Sequence, residues 1–300
     1  MKSRLAKETV RGALAASVTP LTAGGTQVDG EGIGCLIDFY IGAGLDGVLV
    51  LGTAGEGILL SVAERRYAAE RFIESAQGRL PVLVHCGAQS TRDTVDLAAH
   101  AAECGATGVA VIPPPYFALD GDEILGHLLA ASLACAPLPF YAYEFAARSG
   151  YGIPPVVLSR LRDLASNFVG IKVSDAPFDR VEPYLSLGLD VFIGAEQLIH
   201  RGLAAGAVGA VSGLAAALPE LTIAAVRAGS AQSSERIGKV RASLQEFPFL
   251  AALKVLLKRR GVPINVAVRA PLRGLDEDER TRLDRLLSEP GGEIAGLLAP

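Results

Sequence analysis

Short runs of β-branched and other apolar residues recur along the first two thirds of the chain, separated by longer stretches with apolar positions at helical spacing. The runs read as strands over Gly12–Val18, Gly47–Leu51, Pro81–Cys86, Gly108–Ile112, Pro139–Phe145, Val169–Val173, Asp190–Ala195 and Gly206–Ser212. Between them lie amphipathic helices. In Ser61–Gln77, Glu64 follows Ser61 by three residues and forms a capping box; in Thr91–Cys104, Thr91 and Gly105 supply the start and the stop. Eight such β-then-α units in about 220 residues match a (β/α)8 TIM barrel in size and order. After Pro219 the pattern is helical only, over Glu220–Gly229, Ser233–Gln245, Pro248–Arg260 and Asp276–Leu287. The expected architecture is α/β: a barrel over residues 1–229 and a C-terminal helical extension over 230–300 packed on it. An open doubly wound sheet would carry a glycine-rich phosphate fingerprint after its first strand, and Thr19-Pro20-Leu21-Thr22-Ala23-Gly24-Gly25 lacks that spacing.

Composition narrows the function classes. Half of the 300 residues are hydrophobic, yet no stretch approaches the ~20 uninterrupted apolar residues of a membrane span. The surplus of alanine and glycine fits close-packed helices or surface covered by other subunits. With a formal net charge of -4, the one basic cluster, Lys258-Arg259-Arg260, is accounted for by a helix C-terminus, and no nucleic-acid partner is expected. The amino-terminal Met1–Glu8 is charged without a following apolar segment or cleavage site, so no export signal is expected and the location reads as cytoplasmic. Cys35, Cys86, Cys104 and Cys135 contain no C-x-x-C pair and read as reduced thiols. His85, His100, His127 and His200 read as dispersed, with only the adjacent His85-Cys86 close in sequence; no metal site is expected.

In a barrel of this kind the chemistry lies at the carboxyl ends of the strands. The second strand ends in Gly52-Thr53-Ala54-Gly55-Glu56-Gly57, either a loop whose backbone N–H groups converge on an anion or an ordinary glycine-rich turn. On the fifth strand Tyr141 and Tyr143 share a face, with Tyr143 nearer the carboxyl end, as a proton carrier or as a core aromatic. The sixth strand carries Lys172 in Gly170-Ile171-Lys172-Val173-Ser174-Asp175. Burial disfavours the charged form of an amine, and a neutral amine attacks carbonyl carbon; the other reading is a lysine that reaches solvent or pairs with a carboxylate. Equivalent levels of neighbouring strands, about 4.8 Å apart, would bring Tyr143 and Lys172 into contact.

Gly52-Thr53-Ala54-Gly55-Glu56, Tyr143 and Gly170–Asp175, in this order, with Ala16-Ser17-Val18-Thr19-Pro20-Leu21 and Asp29 ahead of them, resemble the dihydrodipicolinate synthase / N-acetylneuraminate lyase family of class I aldolases over essentially the whole chain. The resemblance implies a lyase that forms an imine between Lys172 and pyruvate or another 2-oxo acid and joins it to, or cleaves it from, an aldehyde. No cofactor is needed beyond that covalent imine. It implies Tyr143 as acid/base and Thr53 as its relay partner. The backbone at Thr53 and Ala54 would bind the substrate carboxylate, and the Val211 backbone would lie against the oxo acid. Arg148 matches the arginine that meets a carboxylate on the aldehyde in the synthase branch; by itself it reads equally as a solvated loop residue. The family habit is a homotetramer built as a dimer of dimers.

Several residues depart from the pattern. Ala54 replaces a threonine whose hydroxyl binds the carboxylate, a hydrogen bond of about 1.5–3 kcal/mol. Phe117 replaces a tyrosine that crosses a subunit interface in the synthase branch, and neighbouring Tyr116 is the candidate substitute although its side chain should point elsewhere. Glu144 and Ala146 replace an asparagine and a proline. These departures keep two further readings open: an aldolase or dehydratase of 2-oxo-3-deoxy sugar acids, or a hydratase-aldolase. A barrel that only binds 2-oxo acids is the reading of another class, and Tyr143 beside Lys172 argues against it.

Overall fold

The computed structural model describes residues 9–289 and 292–298; the charged segment Met1–Glu8 lies outside them. Eight parallel strands close into a barrel in chain order: β1 (Gly12–Ala16), β2 (Gly47–Val50), β3 (Val82–His85), β4 (Gly108–Val111), β5 (Phe140–Glu144), β6 (Phe168–Val173), β7 (Asp190–Ile193) and β8 (Gly209–Ser212), with β8 pairing back onto β1. The outer layer comprises α1 (Gly30–Ala43), α2 (Val62–Ala76), α3 (Thr91–Glu103), α4 (Gly121–Ala134), the short α5 (Ala146–Ser149), α6 (Pro155–Leu164), α7 (Glu182–Leu185), α8 (Ile199–Ala204) and α9 (Pro219–Ala228). Beyond it follow α10 (Ala231–Gln245), α11 (Phe249–Arg259), α12 (Glu277–Ser288) and α13 (Ala295–Leu298). This is the expected (β/α)8 barrel with C-terminal helices.

Two apolar layers follow from strand alternation. Leu14, Leu49, Leu83, Ala110, Tyr141, Phe192 and Val211 fill the barrel interior. The alternate strand residues, among them Ala13, Val48, Val82, Val109, Phe140, Ile171 and Val191, pack beneath the helices. Gly170 stands where any side chain would collide with the Tyr141 ring, at 3.0 Å, and with the Asp190 carbonyl oxygen, at 2.3 Å. The β5–β6 register shifts after Phe140, so that Tyr141 faces Gly170 and Tyr143 faces Lys172.

Most strands end a residue or two earlier than the apolar runs do. Val18, Leu51 and Cys86 remain buried after leaving the ladder, so hydrophobicity continues where strand pairing stops. The capping box of Ser61 and Glu64 is present. α3 starts at Thr91, as expected, and its cap is the preceding Ser90, which accepts from the Asp93 N–H, whereas the Thr91 hydroxyl pairs with His127. Asp29 caps α1 through the Gly32 N–H. The histidines and cysteines are less dispersed than expected, because His100 and Cys104 stand one helical turn apart and meet Glu70 of α2.

A buried ion pair fastens the tail to the barrel. Lys254 of α11 donates to Glu56 at 2.6 Å and to the Ala267 carbonyl at 2.7 Å, and both charged side chains are fully buried. Glu56 sits in the left-handed region and its second oxygen accepts from the Arg269 N–H, so one carboxylate joins the β2–α2 loop, α11 and the 267–269 segment. Burial pulls the Lys254 ammonium below its ordinary value, and Glu56 opposes that shift. Removing one partner leaves the other charge buried and unpaired. Lys254→Met should therefore destabilise the fold by about 3–5 kcal/mol in urea denaturation; an unchanged midpoint would show that the clamp is dispensable.

Candidate active site

The carboxyl ends of the strands open into a cavity of about 1060 Å³, large enough for a small metabolite. Its walls include Gly52, Thr53 and Ala54 after β2, His85 of β3, Tyr143 of β5, Lys172 of β6 and Val211 of β8. The C-terminal helices supply another wall through Arg241, Gln245 and Phe249.

Strand pleat places Tyr143 and Lys172 side by side and pointing inward. Lys172 Nζ lies 4.1 Å from the centre of the Tyr143 ring, and the residue is 7% exposed. Among the described residues no carboxylate stands within ion-pairing distance of this amine, which removes the reading of Lys172 as half of a salt bridge. Tyr143 Oη is 3.3 Å from Thr53 Oγ1, so a phenol and an alcohol form a short chain beside the amine.

The loop carrying Thr53 is shaped by crowding around Leu51. A side chain on Gly57 would sit 1.8 Å from the Leu51 carbonyl oxygen, and Leu51 itself has φ 61°. Among the described residues the N–H groups of Thr53 and Ala54 have no protein acceptor, and both residues line the cavity. Two such amides on residues that line a cavity beside a lysine can hold a carboxylate.

His85 was not among the residues expected here. Strand alternation could have placed it, since it follows Leu83 by two positions and ends β3 as Tyr143 nearly ends β5. Its ring meets that of Tyr143 edge-on at 6.0 Å. Burial, reinforced by the Arg65 guanidinium, holds the imidazole down to about 3, so it is neutral at pH 7. The neutral ring donates from Nδ1 to the Leu51 carbonyl and accepts at Nε2 from the Ile112 N–H, which fixes its tautomer. His85 is therefore a rigid support for Tyr143 and not a free base.

Arg148, on α5, lines the cavity with its guanidinium 5.6 Å from the centre of the Phe145 ring, and Phe145 stacks on Tyr143 at 6.3 Å. Val211 is buried at the barrel wall, and Ala54 offers only a methyl group. Tyr116 and Phe117 do not join the cavity: they are 88% and 72% exposed and pack edge-on against each other at 5.0 Å. A second polar group, also missed in sequence, lies across the mouth. Glu196 accepts from Ser212 and from the Leu214 N–H and stands 3.6 Å from Arg241, whose guanidinium covers the Phe249 ring at 3.7 Å.

On the outer side of β5, Glu144 is buried and accepts from the Ile153 N–H at 2.7 Å, while Asp175 accepts from the Ala146 N–H. The two carboxyls thus hold both ends of the segment that carries Arg148. Burial, with Asp175 adding to it, pushes Glu144 up to about 8, whereas an unfolded glutamate ionises near pH 4.3. The folded state keeps a proton that the unfolded chain loses, so this group's stabilising contribution is complete at low pH and lost as pH rises through 8. Glu144→Gln, which has no proton to lose, should gain steadily on the parent in thermal midpoint from about pH 4.3 up to pH 8.5. A gap that does not change between those pH values would refute the assignment.

Fold and cavity together define a (β/α)8-barrel protein with a buried lysine, a tyrosine and a threonine in contact at the strand ends. The chain belongs to the dihydrodipicolinate synthetase family, whose model matches residues 9–290. It is 34% identical to an uncharacterized DapA-like lyase of Halobacterium salinarum over 84% of each chain. It is 34% identical to the N-acetylneuraminate lyase of Mus musculus over 68% of this chain and 66% of that protein. The crystal structure of Escherichia coli YagE in complex with pyruvate superposes with a TM-score of 0.87 at 28% identity, covering 93% of this chain and 98% of the other. Members of this family are lyases of the aldolase type, and this chain is one of them by descent and fold.

Proposed function

We propose that the protein is a Schiff-base-forming lyase of the dihydrodipicolinate synthase type, acting on pyruvate or another 2-oxo acid and an aldehyde. The observation that carries this reading is the buried Lys172 amine lying against Tyr143, which in turn contacts Thr53, with no carboxylate paired to the amine among the described residues. Neutral Nζ attacks the ketone carbon, a proton passes to the ketone oxygen, and water leaves to give a protonated imine. That imine draws electrons from the adjacent carbon, which loses a proton to become an enamine. The enamine carbon bonds to the aldehyde carbon, the new alkoxide takes a proton, and water hydrolyses the imine to regenerate the amine; cleavage is the reverse.

Tyr143, relayed through Thr53, moves the protons at the former ketone oxygen and the new alkoxide. The N–H groups of Thr53 and Ala54 hold the carboxylate, and Val211 bounds the oxo acid. Arg148 faces the aldehyde end, which favours a carboxylate there. Ser174, Gln197 and Gln245 along the same cavity support the second reading, a hydroxylated partner of the 2-oxo-3-deoxy sugar acid type. The chemistry requires no cofactor. In the same reading the protein is cytoplasmic and forms a homotetramer as a dimer of dimers, the exposed Tyr116 and Phe117 being covered by another copy.

With pyruvate alone in deuterated water, the protein should wash deuterium into the methyl group, because enamine formation needs no aldehyde. NMR follows the loss of the methyl proton signal. No exchange above the protein-free rate would overturn the assignment. Condensation with carboxylate-bearing aldehydes and cleavage of 2-oxo-3-deoxy sugar acids, assayed side by side, then separate the two substrate readings.

A further inference from the structure

On the outer helical layer, three side chains of different chemistry converge without any part in the cavity. His100 and Cys104 lie one turn apart at the end of α3, and Glu70 reaches them from α2. His100 Nε2 is 2.9 Å from Glu70 Oε1 and 3.5 Å from Cys104 Sγ, and the three ligand atoms all lie within 4.8 Å of one another. Nitrogen, oxygen and sulfur ligands held about 2.0–2.3 Å from a tetrahedral zinc ion stand about 3.3–3.6 Å apart. The sulfur–nitrogen distance already fits, and the oxygen–nitrogen distance needs to open by about half an ångström or less. We propose that Glu70, His100 and Cys104 form a three-ligand site for a thiophilic divalent cation of the zinc class, with water completing the tetrahedron.

The surrounding charge suits a cation. Burial and the carboxylates of Glu70 and Glu103 push the Cys104 thiol up, with the Arg66 guanidinium opposing them. Arg66 is itself engaged by Asp96. The carboxylates of Glu70 and Glu103 beside the sulfur supply negative charge for a dication, and a coordinating thiol gives up its proton on binding. The site lies between two helices that are joined here only by side chains, so an ion would clip α2 to α3. In a (β/α)8 barrel the helices run opposite to the strands, which puts the end of α3 at the face away from the cavity mouth. Metal binding and turnover are therefore separable.

Isothermal titration of the full-length protein with zinc chloride, in a reducing and non-chelating buffer, should show one equivalent bound. Cys104→Ala and His100→Ala should each weaken it at least tenfold, while Cys35→Ser, which changes a cysteine outside the cluster, should not. Cobalt chloride should give a thiolate-to-cobalt charge-transfer band that Cys104→Ala abolishes and Cys35→Ser retains. Circular dichroism checks that each variant is folded, and Cys104→Ala should keep the turnover of the parent. Absence of stoichiometric binding, or binding and a cobalt band that survive both ligand substitutions, would overturn the site.

Discussion

Lys172→Ala should eliminate turnover, by at least about 10⁴-fold in kcat, while the barrel stays folded. Loss of a covalent nucleophile removes the whole imine route, not one interaction along it, which is why such losses are large and are not recovered by the remaining site residues. Stability should respond in the opposite sense. Lys172 is 7% exposed and has no carboxylate partner among the described residues, so its removal strands no buried counter-charge. Lys172→Met, which fills the space with a chain of similar length, should unfold at the same urea concentration as the parent or a higher one. Steady-state kinetics and urea denaturation on the same preparations test both halves. An active Lys172→Ala variant would rule out imine catalysis at this residue.

Tyr143→Phe should lower kcat by about 10²–10⁴-fold, the usual weight of a positioned acid/base, with a much smaller effect on pyruvate binding. Only the hydroxyl is lost. The ring that meets His85 edge-on, stacks on Phe145 and lies under Lys172 Nζ is retained. The variant should still form the imine, more slowly, and the defect should fall on the proton transfers before and after carbon–carbon bond formation. Thr53→Val should show the same pattern in weaker form, since Thr53 touches Tyr143 Oη at 3.3 Å and acts through it. A Tyr143→Phe variant with unchanged kcat would make the ring a packing element and leave the phenol without a role.

The barrel and its central pair were legible because both rest on local rules. Alternation along β5 fixed which face Tyr143 shares, and the order of the strand-end motifs placed Lys172 on the next strand; the observed Tyr143–Lys172 register follows. His85 obeys the same alternation but ends an apolar strand beside a cysteine, and nothing in that run marks it as facing a tyrosine two strands away. Other features depend on packing that periodicity does not contain. The Glu56–Lys254 pair joins residues 198 positions apart, and the approach of Arg241 to Glu196 depends on how α10 crosses the barrel mouth. The zinc-class cluster was hidden for a related reason: the turn between His100 and Cys104 is visible in sequence, but Glu70 comes from the neighbouring helix. Tyr116 and Phe117, which the order of motifs placed among the site residues, stand exposed outside the cavity.

The central claim is that Lys172 forms the covalent bond to substrate. Reduction with borohydride in the presence of pyruvate, followed by peptide mass analysis, tests it without any knowledge of the aldehyde. The account predicts a stable adduct of reduced pyruvate on the peptide containing Lys172, and none on that peptide when pyruvate is omitted. An unmodified Lys172 in intact protein with saturating pyruvate, or an adduct carried only by another lysine such as Lys254, would contradict it.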